Sequence, residues 1–301
     1  MYMTQVQQGA GGVLSPVPNT LVPVDFSAFG GLLNPCAGST TPWQTHLGSE
    51  ESYLANARDF EATFYGASTP VGGANTYSTV GFNDLSSNSS SLAYNQFAMA
   101  TMMRYFGKYP AAVSNSDITT NIDPYAYGYI TEVKVSPAGA PVATKHMALG
   151  RAAWEMAYVM PDQKTVYGSV DDNNSGWYKF VANTAGDLTS GTLSCALFTQ
   201  TSPAGGAAAS SAFTISWVSM GATSDAAAMS YLGPKGNNAN QLTFSDIFLV
   251  GLPTSATSGA CNPGFTSVNT AYTYTVGGVT YYNECLQRTL PVLSRCSRLA
   301  C

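Results

Sequence analysis

The sequence predicts a mainly β chain of short antiparallel strands, and three observations carry that prediction. Between residues 128 and 198 the runs GYITEVKV, ATKHMAL, WEMAYVM, KTVYGSV, GWYKFVA and GTLSCALF follow one another with no helical period between them. The breaks between them are turn chemistry: Pro137 to Gly139, Pro161-Asp162, and Asp171 to Asn174. Near the end, TYTV and VTYY flank Gly277-Gly278, the positive-φ pair that a two-residue hairpin turn requires. Strands this closely spaced build antiparallel sandwiches or propeller blades.

The remaining elements read as follows, in chain order. Residues 1–33 are rich in Gly, Pro and Val without a helical period and form an extended N-terminal arm or edge strand. A helix is expected from Ser49, with Ser49 as N-cap, Glu50 and Glu51 complementing its positive end, and Tyr53, Ala57, Phe60 and Phe64 on one face. A polar loop over residues 68–92 and a second helical stretch from Tyr94 to Phe106 follow. Another strand tract runs from Phe213 to Met220. The last residues, 288–301, form an atypical Arg- and Cys-rich tail that breaks the strand pattern and reads as a truncated or misread end.

Composition narrows the function. Of 301 residues, 10% are charged against roughly 25% in an average domain, so Ser, Thr, Asn and Gln must carry solubility. With 45% apolar residues the chain can still bury a core. A net charge of −5 lacks the basic stripe that phosphate backbones demand, which excludes a nucleic-acid partner. The longest apolar run, Ile247 to Leu252, is far short of the ~20 residues of a membrane span. No basic residue precedes Arg58, so no signal-peptide n-region is expected in the chain as written. The six cysteines contain no CxxC pair, which argues against a zinc ribbon. Their even number fits an oxidising, exported setting with Cys261 and Cys285 bridged around a hairpin; buried free thiols fit equally well.

Few residues can carry chemistry. The two histidines, His46 and His146, lie outside any G-x-S-x-G context, and His146 reads as structural. The Gly-rich stretches lack a Walker lysine. Carboxylates at element ends remain: Glu50 and Glu51, Glu155, and Asp171 and Asp172. A hard cation takes such oxygen ligands from separate elements. Helix-end complementation and turn chemistry explain four of the five as well. Glu155 stands apart, because a charge inside the run Ala152 to Met160 is costly unless it is paired, for instance with Arg151, or bound to metal.

Several segments in order resemble one family. Residues 34–38 (NPCAG) and 41–51 (TPWQTHLGSEE) are similar to the TPWGTWLTCEE region of the PhoX-type alkaline phosphatases, and RYFGK at 104–108, GYITEV at 128–133 and GRAAWE at 150–155 match later motifs. Residues 166–181 and LTFSDIF at 242–248 continue the match, which spans about residues 34–287. The resemblance implies a β-propeller over 34–287, incomplete because family members run on through further blades. It implies calcium and iron in the central channel of a secreted, extracellular or periplasmic enzyme acting on a phosphomonoester. Carried over residue by residue, it makes Glu50, Glu51, Glu155, Asp171 and Asp172 the metal ligands, and it assigns no nucleophile. Ser49 stands where the family has an iron-ligating cysteine, and Trp154 where it has a histidine.

Two functions from different classes therefore stand: a metal-dependent phosphatase, and a non-catalytic protein assembling into a homo-oligomer or extracellular filament through its arm and open strand edges. Asn88 and Asn173 head sequons that an exporting host would read as glycan acceptors, or that arise by chance in a Ser/Asn-rich chain.

Overall fold

The computed structural model describes residues 1–51, 76–77, 126–170, 176–203, 205–231, 248–251, 253–276 and 278–288. Within them the chain is mainly β, arranged as antiparallel sheets. The arm carries β1 (Tyr2–Met3), β2 (Val6–Gln8), β3 (Leu14–Pro16) and β4 (Val22–Pro23), paired β1 with β4 and β2 with β3. The arm therefore folds back on itself, so these strands already have partners within it. Past β4, Val24 and Phe26 bury against Val133.

Two meandering sheets form the centre. The first, in the order β5-β6-β8-β9, comprises β5 (Pro35–Thr40), β6 (His46–Glu50), β8 (Ile130–Val135) and β9 (Pro141–His146), with β7 (Thr76–Tyr77) belonging elsewhere. The second is a five-stranded meander in sequence order: β10 (Trp154–Val159), β11 (Thr165–Val170), β12 (Trp177–Thr184), β13 (Asp187–Gln200) and β14 (Phe213–Ser224). The expected Pro161-Asp162 turn joins β10 to β11, and the one expected at Asp171 to Asn174 lies outside the described residues. Asp162 accepts the Lys164 and Thr165 N–H groups at 3.0 and 2.9 Å, and Gly186 turns β12 into β13 at φ 74°.

Alternation sets the core. Along β12, Tyr178, Phe180 and Ala182 point inward while Trp177, Lys179 and Val181 point out. Phe180, Val166, Leu188 and Trp154 pack with Leu47 and Ile130 of the first sheet into one cluster. On the other face of β8, Val133 meets the arm, which is why Ile130 through Val133 are all buried. Gly191 is required here: a Cβ would lie 2.4 Å from both the Phe180 ring and the Val181 carbonyl.

A third sheet runs β18-β19-β15-β7, built from β15 (Phe248–Gly251), β18 (Thr266–Val276) and β19 (Val279–Arg288). The hairpin between β18 and β19 has the expected register, Val276 opposite Val279, with Gly278 at φ 81°. The small β16 (Pro253–Ser255) and β17 (Ser258–Cys261) pair beside it, and Cys261 is disulfide-bonded to Cys285 across 5.6 Å between Cα atoms. Cys195 is also disulfide-bonded. A short helix, α1 (Asp225–Tyr231), follows β14. No described helix is long and apolar enough to cross a membrane.

One expectation is corrected. Ser49 and Glu50 do not open a helix: they end β6, which is paired on one side with β5 and on the other with β8. Both are fully buried, and two-sided pairing with a buried ion pair outweighs the capping signal. Glu51 follows β6 outside any helix, and that predicted helix from residue 52 on, the stretch Tyr94–Phe106, Asn88, Asn173 and residues 289–301 lie outside the described residues.

The ion pair is Glu50 with Lys145, both at 0% exposure, with Lys145 Nζ 2.8 Å from Glu50 Oε1. The same oxygen accepts the Leu33 N–H at 2.8 Å, and Oε2 accepts the Gly128 and Tyr129 N–H groups at 3.0 and 3.1 Å. Lys145 also donates to the Ala126 carbonyl and lies over the Tyr127 ring. Burial pushes the Lys145 ammonium down from its ordinary pKa, opposed by the Glu50 carboxylate. Lys145→Met, which strands the carboxylate, is expected to lower unfolding free energy by about 3–5 kcal/mol in urea titrations, and adding Glu50→Gln to recover part of that loss. A single-variant loss under about 1 kcal/mol would mean the pair supports little.

Candidate metal centre

Three donors converge where the two central sheets meet. Pro35 pairs with Glu50, and an irregularity between Pro35 and Gly38 lifts Cys36 out of the ladder. Glu51 leaves β6 directly after Glu50; its N–H donates to the Asn34 carbonyl at 3.1 Å, and the Asn34 amide donates back to the Glu51 carbonyl. Glu155 comes from β10, which packs across β5 and β6. One ligand atom each of Cys36, Glu51 and Glu155 lies within 4.8 Å of the other two, and Cys36 Sγ is 3.8 Å from Glu155 Oε2. The hydrogen bond to Glu51, with the charges of Glu51 and Glu155, pushes the Cys36 thiol up from its ordinary pKa. Two carboxylates held against a thiol repel one another, and a cation between them reverses that penalty.

Ser49 stitches this corner. Its Oγ lies 2.7 Å from the Ala37 carbonyl and 2.6 Å from the Glu155 carbonyl, so its proton is shared between the strands that carry Cys36 and Glu155. The donor set suits a transition metal of borderline softness: the thiolate favours iron or zinc, and the carboxylates favour hard cations.

Of the five carboxylates named from sequence, the structure brings Glu51 and Glu155 together. It gives Glu50 four other donors. Asp171 and Asp172 lie outside the described residues; Val170, just before them, pairs with Trp154. Trp154 faces the core, 3% exposed, edge-on to Tyr178 at 5.3 Å, and donates to the Gly150 carbonyl. Arg151 donates from Nε to the Tyr127 carbonyl at 2.8 Å.

A second buried polar network lies deeper. Glu132 accepts from Trp43 Nε1 at 2.8 Å and the Thr45 hydroxyl at 2.6 Å, so the TPWQT loop clasps it. His146, 1% exposed, sits between Glu132 (Nε2 to Oε2, 2.9 Å) and Asp225 at the start of α1 (Nδ1 to Oδ2, 3.2 Å). Asp225 also accepts the Ala148 N–H. The structural reading of His146 fits this arrangement. Sequence reasoning passed over Cys36, Glu132, Lys145 and Asp225. The signal for Glu132 and Lys145 was there, since each is a charge inside an apolar strand, the argument that singled out Glu155.

These observations define a mainly β protein with a thiol-and-carboxylate cluster at a sheet junction. The model of the family described as alkaline phosphatase PhoX matches residues 17–251, and the chain belongs to that family. Among solved structures, PhoX of Pseudomonas fluorescens in complex with vanadate, a transition state analogue, is similar at 20% identity and a TM-score of 0.35, over 63% of this chain. The match spans 30% of that protein's length. No curated protein sequence matches.

Stability should follow the second network. Burial alone would raise the Glu132 pKa, but His146, Thr45 and Trp43 hold it at about 2. Burial alone would lower that of His146, but Asp225 and Glu132 raise it. The Glu132 contribution is present above the ordinary value near 4.5 and is lost as pH falls toward about 2. That of His146 is complete below about 6.5 and is lost as pH rises through its higher folded value. Urea midpoints should therefore fall on the alkaline side, and His146→Gln should flatten that limb; an unchanged limb would mean another group sets it.

Proposed function

We propose that this chain is a metal-dependent phosphomonoesterase whose metal is held by Cys36, Glu51 and Glu155. The convergence of one thiol and two carboxylates from separate strands carries the reading, and the family membership supports it. Calcium and iron are the cations we assign: the thiolate of Cys36 answers the need for a soft ligand where Ser49 offers none, and the carboxylates of Glu51 and Glu155 suit calcium as well. When bound, such cations draw charge from a phosphoryl oxygen and stabilise what develops in the transition state. Asn34 fixes the direction in which Glu51 leaves β6, and Ser49 fixes the spacing between the Cys36 and Glu155 backbones. Asp171 and Asp172 are proposed as further oxygen ligands, by family resemblance. Glu50 serves this site as an anchor.

The protein is proposed to work in an exported, oxidising compartment, extracellular or periplasmic. The Cys261–Cys285 disulfide supports this, because such bonds persist outside the reducing cytosol.

Metal content by plasma mass spectrometry, on protein purified without chelator, tests the site together with hydrolysis of a chromogenic phosphomonoester. Glu155→Gln and Cys36→Ser should each lose bound metal and reduce turnover by at least about 100-fold, the upper range for disturbing a metal's surroundings. Metal-free protein with full turnover, or variants that keep both, would overturn the assignment.

A further inference from the structure

The last strand of the five-stranded sheet has a free edge among the described residues, and that edge is unusual. β14 is 12 residues long, FTISWVSMGATS, with no proline and no charge. Edge strands that must stay single are ordinarily interrupted by proline, lysine or an inward charge. A bulge opposite Leu193 and Ser194, with Gly221 at φ 114°, breaks the ladder only after Ser219, which leaves Phe213–Ser219 regular.

The outward face beside this edge is aromatic. Trp217 lies 5.8 Å from Tyr167 and 6.2 Å from Trp177, Trp177 stacks near Phe198 at 5.9 Å, and Phe198 meets Phe213 edge-on at 6.3 Å. The rings thus form a connected row across β11 to β14, ending at the free edge. Phe213 is 52% exposed and Ile215 40%. The cation of this row, Lys179, sits over the Trp217 ring at 4.5 Å.

We propose that the β14 edge pairs antiparallel with the same edge of a second copy of this chain, joining two five-stranded sheets across a two-fold axis. The sequence of the edge is self-complementary in one register. With Ile215 on the axis, Phe213 faces the partner's Trp217 on the ring side, and Thr214 faces the partner's Ser216 on the other. Cross-strand aromatic pairs and Thr–Ser pairs are the stabilising pairs of antiparallel ladders. Neither edge carries a charge, so the two-fold places no like charges in opposition. A two-fold contact closes on itself, giving a dimer rather than a filament.

Size-exclusion chromatography with light scattering on the full chain tests this. Wild type should run at twice the monomer mass. Ile215→Lys and Ile215→Glu, both at an exposed position, should each halve that mass with unchanged circular dichroism. An equimolar mixture of the two variants should return to the dimer, because the register sets the two new charges face to face. A monomeric wild type, larger open assemblies, or a dimer that survives either substitution would overturn the proposal; failure of the mixture to re-form would overturn the register.

Discussion

The buried Glu50–Lys145 pair is the constraint on which the centre of this molecule depends. Its carboxylate gathers four donors from three places: the end of the arm, the two residues that lead into β8, and the lysine of β9. Two ions removed from water repel the fold unless every lone pair and proton is answered, and here the backbone answers most of them. That requirement fixes β6 between its neighbours and sets where the chain must turn. It also places Glu51, the next residue, whose carboxylate lies beside Cys36 and Glu155.

The second network works on the same principle one layer away. Glu132 is held by the TPWQT loop, and through His146 it reaches Asp225 at the far end of the five-stranded meander. The two central sheets are thus joined twice, by the apolar cluster of Leu47, Ile130, Trp154 and Phe180 and by a chain of charges. In a chain with so few ionised groups, solubility is left largely to neutral polar side chains.

Much of the fold was legible in the sequence because strand alternation and turn residues are local signals. The runs from 128 to 198 appear as strands, except that ATKHMAL leaves the sheet after His146 in a 3-10 turn, and the hairpin at Gly277-Gly278 appears where its residues indicate. Of the two readings the cysteines left open, the structure has the Cys261–Cys285 bridge. The misreading at Ser49 has a clear cause. Ser-Glu-Glu before an apolar stretch is a helix start by local rules, and only the partners of β6, one of them some 80 residues away, make it a strand. The candidate cluster was half legible. Glu155 stood out as a costly charge in a strand, and the resemblance pointed to Glu51. Cys36 carried no such mark, because an exposed cysteine has no local signature, and its place beside them emerges only when β10 crosses β5.

The adjacency of Glu50 and Glu51 has a consequence for how this protein can change over generations. In extended backbone, neighbouring side chains serve opposite sides, so one acid of the pair is interior scaffold and the other sits in the partly exposed cluster. A slip of β6 by one residue would exchange their positions, leaving the buried Lys145 without its carboxylate. Insertions or deletions in the segment that precedes them are therefore closed to drift, while point changes at the rim stay open.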